Sequence, residues 1–519
     1  MARLIFRVDM GRAVPVQPFV SVLGALLCSA VAFSAALWLA EGGLKQWIVA
    51  GTLASIPFLM VLYPHPKHFL LAGWIFTLTY NRQYFSFEAL FGRHGSQGPY
   101  WIVSDVFLLG LLLHAVYMRV VNRVRPEPKG PPFWPWYLPL VLAWVISLAG
   151  AERPEWGVFE LWRSVKFGFI LWYTSRYLNR REWWICVAAL GLAMVFQSSV
   201  GLKEIVTGRS GVIGMEQQPS GPGGFGKVFS QESFYGSVRA TGTMNHPPNL
   251  ACYLLQVLPV ALALLLGTRW PRVRWIAGLV AAAGAVGLAC TLSRWPWALA
   301  AGQALLVALA MVATCRLTAQ RLVGMLALTA VLAGIGLYPL REKIYKRFTG
   351  DFSASVDQRV ESTRVAMRMI EDSPVTGVGL NNSAYHLVKY FPSLRWAIDN
   401  DEFLVTKVKS RALAVVGNGF LYVPVEAGAL GALGFLVYLM GVAIVAGRAL
   451  RSVWGDVQLA CIGMAAGMLG VILQQVIDFS YWVDPLLFTF ALVVGLLNTA
   501  PGLFPDQKSA ELEWLHEDS

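Results

Sequence analysis

Long apolar runs constrain this chain before anything else. A helix needs about 20 mostly apolar residues to cross the hydrocarbon core of a bilayer. The 519-residue sequence offers candidate runs near 19–41, 44–63, 68–80, 101–118, 133–149, 158–175, 183–202, 248–267, 273–292, 295–314, 322–340, 418–446, 457–477 and 485–503. The third is short and the sixth carries charge at its start, so the pattern predicts about 12–14 spans. Composition points the same way. Apolar residues make up 56% of the chain and charged residues 14%, against about 25% charged in an ordinary soluble protein. The expected fold is therefore all-α: a polytopic integral membrane helical bundle of about 14 transmembrane helices with a large, partly helical outer loop. The expected organisation is N-terminal transmembrane helices over 1–202 and an outer loop over 203–247 leading into the central span. Central transmembrane helices follow over 248–340, a large periplasmic (outer) loop over 341–417, C-terminal transmembrane helices over 418–503 and a cytoplasmic tail over 504–519.

Lys and Arg in short loops set membrane orientation. They collect in alternate loops: Arg119, Arg123, Arg125 and Lys129; Arg176, Arg180 and Arg181; Arg269, Arg272 and Arg274; Arg316 and Arg321; Arg448 and Arg451. These fall on the side of the N-terminal Arg3, Arg7 and Arg12. The opposite short loops carry fewer, among them Arg153, Arg163, Lys166 and Arg294. Both termini are thus expected in the cytoplasm. The net charge of +12 is accounted for by orientation and by the outer loops, and it implies no nucleic-acid partner. The six cysteines form no C-x-x-C pair and read as small packing residues. Neither a metal site nor a nucleotide-binding loop is evident, so no cofactor is expected.

Two outer loops are too long to be plain connections. The first ends in Arg239-Ala-Thr-Gly-Thr-Met-Asn245-His246-Pro247-Pro248-Asn249 and runs directly into the eighth span. Proline suits a helix start, where its missing N–H is not needed. Arg239, Asn245, His246 and Asn249 should then surround a helix N-terminus, an end suited to anions. In the second loop a helix is expected over about 356–371, opened by a Ser355/Gln358 capping box. Glu361 and Arg364 share one of its faces. Between spans nine and ten, Thr291-Leu-Ser293-Arg294 forms a tight turn. Arg239 and Arg294 on one side of the membrane, each beside a span end, could clamp a diphosphate. Glu426 and Asp105 near span ends are expensive charges unless paired or hydrated.

Four blocks in this order resemble the O-antigen ligase and polymerase superfamily of bacterial envelope proteins (Wzy-C-like glycan transferases). The first is carried by Arg239, Gly242, Thr243, Pro248, Asn249, Leu250 and Ala251, with an extra proline at 247. The second is the T-x-S-R of Thr291, Ser293 and Arg294. The third is carried by Arg359, Ala366, Ile370, Asp372, Pro374, Gly377 and Gly379, and the fourth by Asn418, Leu421, Glu426, Gly428 and Gly431. The sequence departs from the family at one point: the His of its H-N pair is Gly417 here.

The resemblance implies a metal-independent, inverting glycosyltransferase. It would move a glycan from a polyprenyl (undecaprenyl) diphosphate carrier to a glycan, lipid or protein acceptor on the outer face of a bacterial inner membrane. Arg239, Arg294 and Arg359 would hold the diphosphate, and Asn245, Asn249 and Asn418 would make further substrate contacts. An acceptor hydroxyl must lose a proton to a positioned base, and the candidates are His386, His246 and Glu426. Gly417 keeps an alternative open, a non-catalytic transporter or accessory protein of polysaccharide export that shares the fold.

Overall fold

The computed structural model describes residues 66–80, 83–86, 100–207, 239–244, 246–314, 345, 353–390 and 418–505. The first, second and eleventh candidate spans, Asn245, Gly417 and the tail beyond residue 505 lie outside the described residues.

Among the described residues the chain is helical apart from one antiparallel hairpin, β1 (Gln83–Ser86) with β2 (Tyr100–Ile102), in which Phe85 faces Trp101. The helices are α1 (Pro66–Leu78), α2 (Val103–Val120), α3 (Trp134–Ser147), α4 (Pro154–Tyr177), α5 (Arg180–Thr207), α6 (Pro247–Gly267), α7 (Pro271–Cys290) and α8 (Arg294–Ala313). They continue with α9 (Ser353–Asp372), α10 (Ser383–Tyr390), α11 (Gly419–Ser452), α12 (Gly455–Gln474) and α13 (Asp484–Leu503). Eight described helices are long and apolar enough to cross a membrane: α2, α5, α6, α7, α8, α11, α12 and α13.

The chain divides into two compact units. One joins Met1–Leu70 to Leu109–Arg125, and its described part is one end of α1 and the C-terminal part of α2 with the residues after it. The other joins Leu71–Leu108 to Pro126–Ser519 and holds every contact described below.

Within this larger unit α6 is the central rod. Pro247 and Pro248 open it, as their missing N–H groups allow. Its side chains from Leu250 to Val260 are buried without a break. α12 lies along it at close range, because Gly463 and Gly467 face the backbone of Pro259, Val260 and Gln256 with no side chain between. This is the G-x-x-x-G contact by which apolar helices pack without a hydrophobic driving force. α7 and α8 flank α6, α5 packs on α7, α3 on α11 and α4 on α13. Leu305, Leu306 and Leu309 on α8, and Leu433, Leu436, Met440 and Ile444 on α11, remain exposed. Apolar side chains at helical spacing on an outer face are what a lipid-facing surface presents.

Two features correct the sequence expectations. Arg163 and Lys166 are not loop charges; they lie inside α4 and are buried. Their partners are buried with them, which is what makes such charges tolerable. Arg163 Nε meets Asp484 Oδ1 at 2.5 Å, its Nη1 meets Glu160 Oε1 at 2.7 Å, and its Nη2 donates to the Trp482 carbonyl. Lys166 Nζ donates to Asp105 Oδ1 at 3.1 Å. The second correction concerns α9, which begins at Ser353. Ser355 therefore sits inside its first turn rather than at the cap.

Candidate functional site

Arg239 lies in a short bend, residues 239–244, that leads into α6. Its guanidinium reaches the turn between α7 and α8: Nε donates to the Thr291 carbonyl at 3.0 Å and Nη2 to Ser293 Oγ at 2.7 Å. The Ala240 N–H donates to the Cys290 carbonyl at 3.0 Å. The turn itself is tight, with Leu292 at φ +49°, and Ser293 is the N-cap of α8, which opens on Arg294. Two of the sequence blocks are thus one structural unit. It brings the Arg239 guanidinium to the turn that opens α8 on Arg294.

The 239–244 bend is shaped from behind by α5. Glu204 is fully buried there and accepts from the Thr241 N–H at 2.6 Å, the Gly242 N–H at 2.9 Å and the Thr241 hydroxyl at 3.0 Å. Gln197 Oε1 accepts the Thr243 N–H at 3.0 Å, and its Nε2 donates to Thr243 Oγ1 and Thr79 Oγ1. Gly242 has φ +58°, and a Cβ there would overlap Gln197. A left-handed residue at a crowded spot calls for glycine.

The third and fourth blocks also form one unit. α11 is interrupted at Gly428, with φ +59° and ψ −155°, and the 374–383 segment fills the break. Ala429 N donates to the Pro374 carbonyl at 2.8 Å, Val378 N to the Val425 carbonyl at 2.9 Å and Gly379 N to the Glu426 carbonyl at 3.0 Å. The Glu426 carboxylate, 1% exposed, accepts from the Asn381 N–H and from Ser383 Oγ, each at 2.7 Å. It therefore holds the turn that starts α10. Beneath it, Val365, Ala366 and Met369 of α9 pack on Val378 and Val425.

Asp478 lies in the turn after α12 and is bonded to the start of α11. Its Oδ1 accepts the Phe479 N–H at 2.8 Å, and its carbonyl accepts the Gly419 N–H at 3.2 Å. Burial pushes its carboxyl above the usual range, while hydrogen bonds from the Ser480 side chain and the Phe479 N–H, and then the positive charges of Arg359 and Arg239, pull it down. Arg239 also acts on His246, the N-cap of α6, which burial first and that charge second push down to about 3. Arg239, Arg359, His246 and Asp478 thus share one electrostatic neighbourhood.

The remaining sequence candidates are placed as follows. Asn249 Nδ2 reaches the Met244 carbonyl at 3.4 Å. Asn418 caps α11, its side chain accepting the Phe420 N–H at 2.9 Å. His386 lies in α10 with Nε2 3.8 Å from Glu152 Oε1, and burial lowers its pKa. Asn245 lies outside the described residues. Glu204, Gln197 and Asp478 escaped the sequence reading. Their signal was there, since a polar residue within or beside an apolar run is costly unless it has partners. Among the described residues no group of three or more His, Cys, Asp or Glu could hold a metal ion.

A multi-helix membrane bundle with Arg239 and Arg294 at the starts of two of its helices defines the class. Residues 278–439 match the family model described as O-antigen ligase (Wzy_C). The match supports the O-antigen ligase superfamily and, at that level, a multi-pass bacterial membrane protein of the glycan-transferase kind. Proteins of this family act on lipid-linked glycans. No curated protein sequence matches the chain.

Proposed function

We propose that the protein transfers a glycan from a polyprenyl diphosphate carrier, such as undecaprenyl diphosphate, to a glycan, lipid or protein acceptor at the outer face of the bacterial inner membrane. The observation that carries this reading is the Arg239 guanidinium held on Thr291 and Ser293, next to Arg294. Negative charge grows on the leaving diphosphate as the glycosidic bond breaks. Guanidinium groups already fixed in place stabilise that charge without reorganising. They favour the transition state over the ground state, which is what raises rate. Arg359 adds a third cation to the same neighbourhood. The chemistry needs no metal: cationic donors stabilise the leaving group and a base takes the acceptor proton. Acceptor chemistry decides between ligation and chain polymerisation, and both use this donor site.

The test is transfer by membranes carrying Arg239→Ala or Arg294→Ala, with the lipid-linked glycan fraction of the source cells as donor. Loss of transfer in both is expected. Full activity in both would sink the diphosphate site. A wild-type protein without transfer, but needed for surface polysaccharide, would favour the non-catalytic alternative that Gly417 keeps open.

A further inference from the structure

Resting on the transfer reading above, we propose that Asp478 is the catalytic base that takes the acceptor proton, standing in for the imidazole that the family places at position 417. The argument begins with chain geometry. Gly419 N donates to the Asp478 carbonyl at 3.2 Å and to the Gln475 carbonyl at 2.8 Å. The turn bearing Asp478 is therefore bonded to the chain two residues beyond Gly417. Asp478 is also within electrostatic reach of Arg239 and Arg359, two of the cations proposed to hold the leaving group.

The other candidates are engaged differently. Both oxygens of Glu426 take hydrogen bonds from the 381–383 turn. His386 faces Glu152, and His246 caps α6 against the charge of Arg239. Asp478 is partly buried, and its carboxylate is hydrogen-bonded within its own turn, by the Phe479 N–H and the Ser480 side chain, rather than to a second segment.

The step balances as follows. The acceptor hydroxyl oxygen bonds to the anomeric carbon. The bond from that carbon to the diphosphate oxygen breaks, with its electron pair leaving on the diphosphate. The hydroxyl proton passes to the Asp478 carboxylate. The base is also coupled to the donor. Arg239 and Arg359 lower the basicity of Asp478 while their charges stand open, and a bound diphosphate neutralises them. Asp478 then becomes a stronger base when the donor is in place. Among the described residues the charged or titratable groups acting with it are Arg359 from α9, Arg239 from the 239–244 bend and Cys252 from α6.

The experiment uses the full chain in membranes with the extracted polyprenyl-diphosphate-linked glycan fraction. D478N is expected to lower kcat by about 10²–10⁴-fold, with donor KM within about twofold of wild type on the same view of a base that acts on the acceptor. D478E is expected to recover part of kcat. The acidic limb of the kcat–pH curve should vanish in D478N and persist in H386A and H246A. Wild-type kcat in D478N, loss confined to donor KM, or disappearance of the limb in H386A would each overturn the proposal. If D478N fails to accumulate, D478E decides: a kcat–pH limb unmoved from wild type overturns the assignment, and a displaced one supports it. The broader reading fails separately, through wild-type inactivity or full activity of the Arg239 and Arg294 variants.

Discussion

Glu204 and Thr241 are bonded twice: Oε2 accepts the backbone N–H at 2.6 Å and Oε1 the hydroxyl at 3.0 Å. The first residue belongs to a helix and the second to the bend that carries Arg239. Replacing Glu204 with Ala leaves the Thr241 and Gly242 N–H groups buried without their acceptor, at about 1–3 kcal/mol each. The bend should relax and Arg239 should lose its aim. A misplacement of about 1 Å can cost about 10²-fold in rate, so kcat/KM in E204A should fall towards that extent while the protein still accumulates. E204Q, which keeps one acceptor, should fall less. Equal activity in E204A and wild type would show that the bend holds its shape without the carboxylate.

Gly428 is the hinge of α11. Its φ of +59° and the nearby Val375 backbone leave no room for a Cβ. Strained backbone of this kind costs about 1–3 kcal/mol, before the overlap with Val375 is relieved. G428A should therefore unfold at a lower temperature in detergent and lose activity. Melting of G428A at the wild-type temperature would contradict the tight seat of the 374–383 segment.

Arg163 neutralises two acidic side chains at once, Glu160 and Asp484. Removing one partner of a buried pair costs about 3–5 kcal/mol, because the remaining charge is uncompensated. R163M should be strongly destabilised in a thermal-shift assay, and R163M with D484N should recover part of the loss. Independent, additive effects of the two changes would show that the groups are not coupled.

His246 offers a pH test. Its pKa is depressed to about 3, by burial first and Arg239 second, so the imidazole is neutral throughout pH 5–8. It gains no proton in that window, and no limb of the activity curve there should belong to it. H246Q should keep the shape of the kcat–pH curve over pH 5–8. A limb present in wild type and lost in H246Q would show that the imidazole titrates there.

Much of this was legible in the sequence, and the exceptions share a cause. Apolar runs announced the helices, and Pro247-Pro248 marked the start of α6. The Arg239, T-x-S-R, Gly377/Gly379 and Glu426 blocks each fall where the structure forms a bonded turn or helix break. Local pattern could not show that the blocks combine in pairs, Arg239 on Thr291 and Ser293, and Gly379 on Glu426. Arg163 and Lys166 read as loop charges because their partners, Asp484 and Asp105, are distant in sequence. Glu204 and Gln197 were hidden for the same reason. A single polar residue in an apolar run says that a partner exists, but only the fold says which.

The stitching of residues 374–383 into the break of α11 carries a practical consequence. Segments outside the spans look like natural places for epitope tags or fluorescent reporters. Here Pro374, Val378 and Gly379 complete the hydrogen bonding of a helix across its interruption. A tag placed between them would act as a lesion in that helix, and accessibility mapping of this protein is better served by insertions elsewhere.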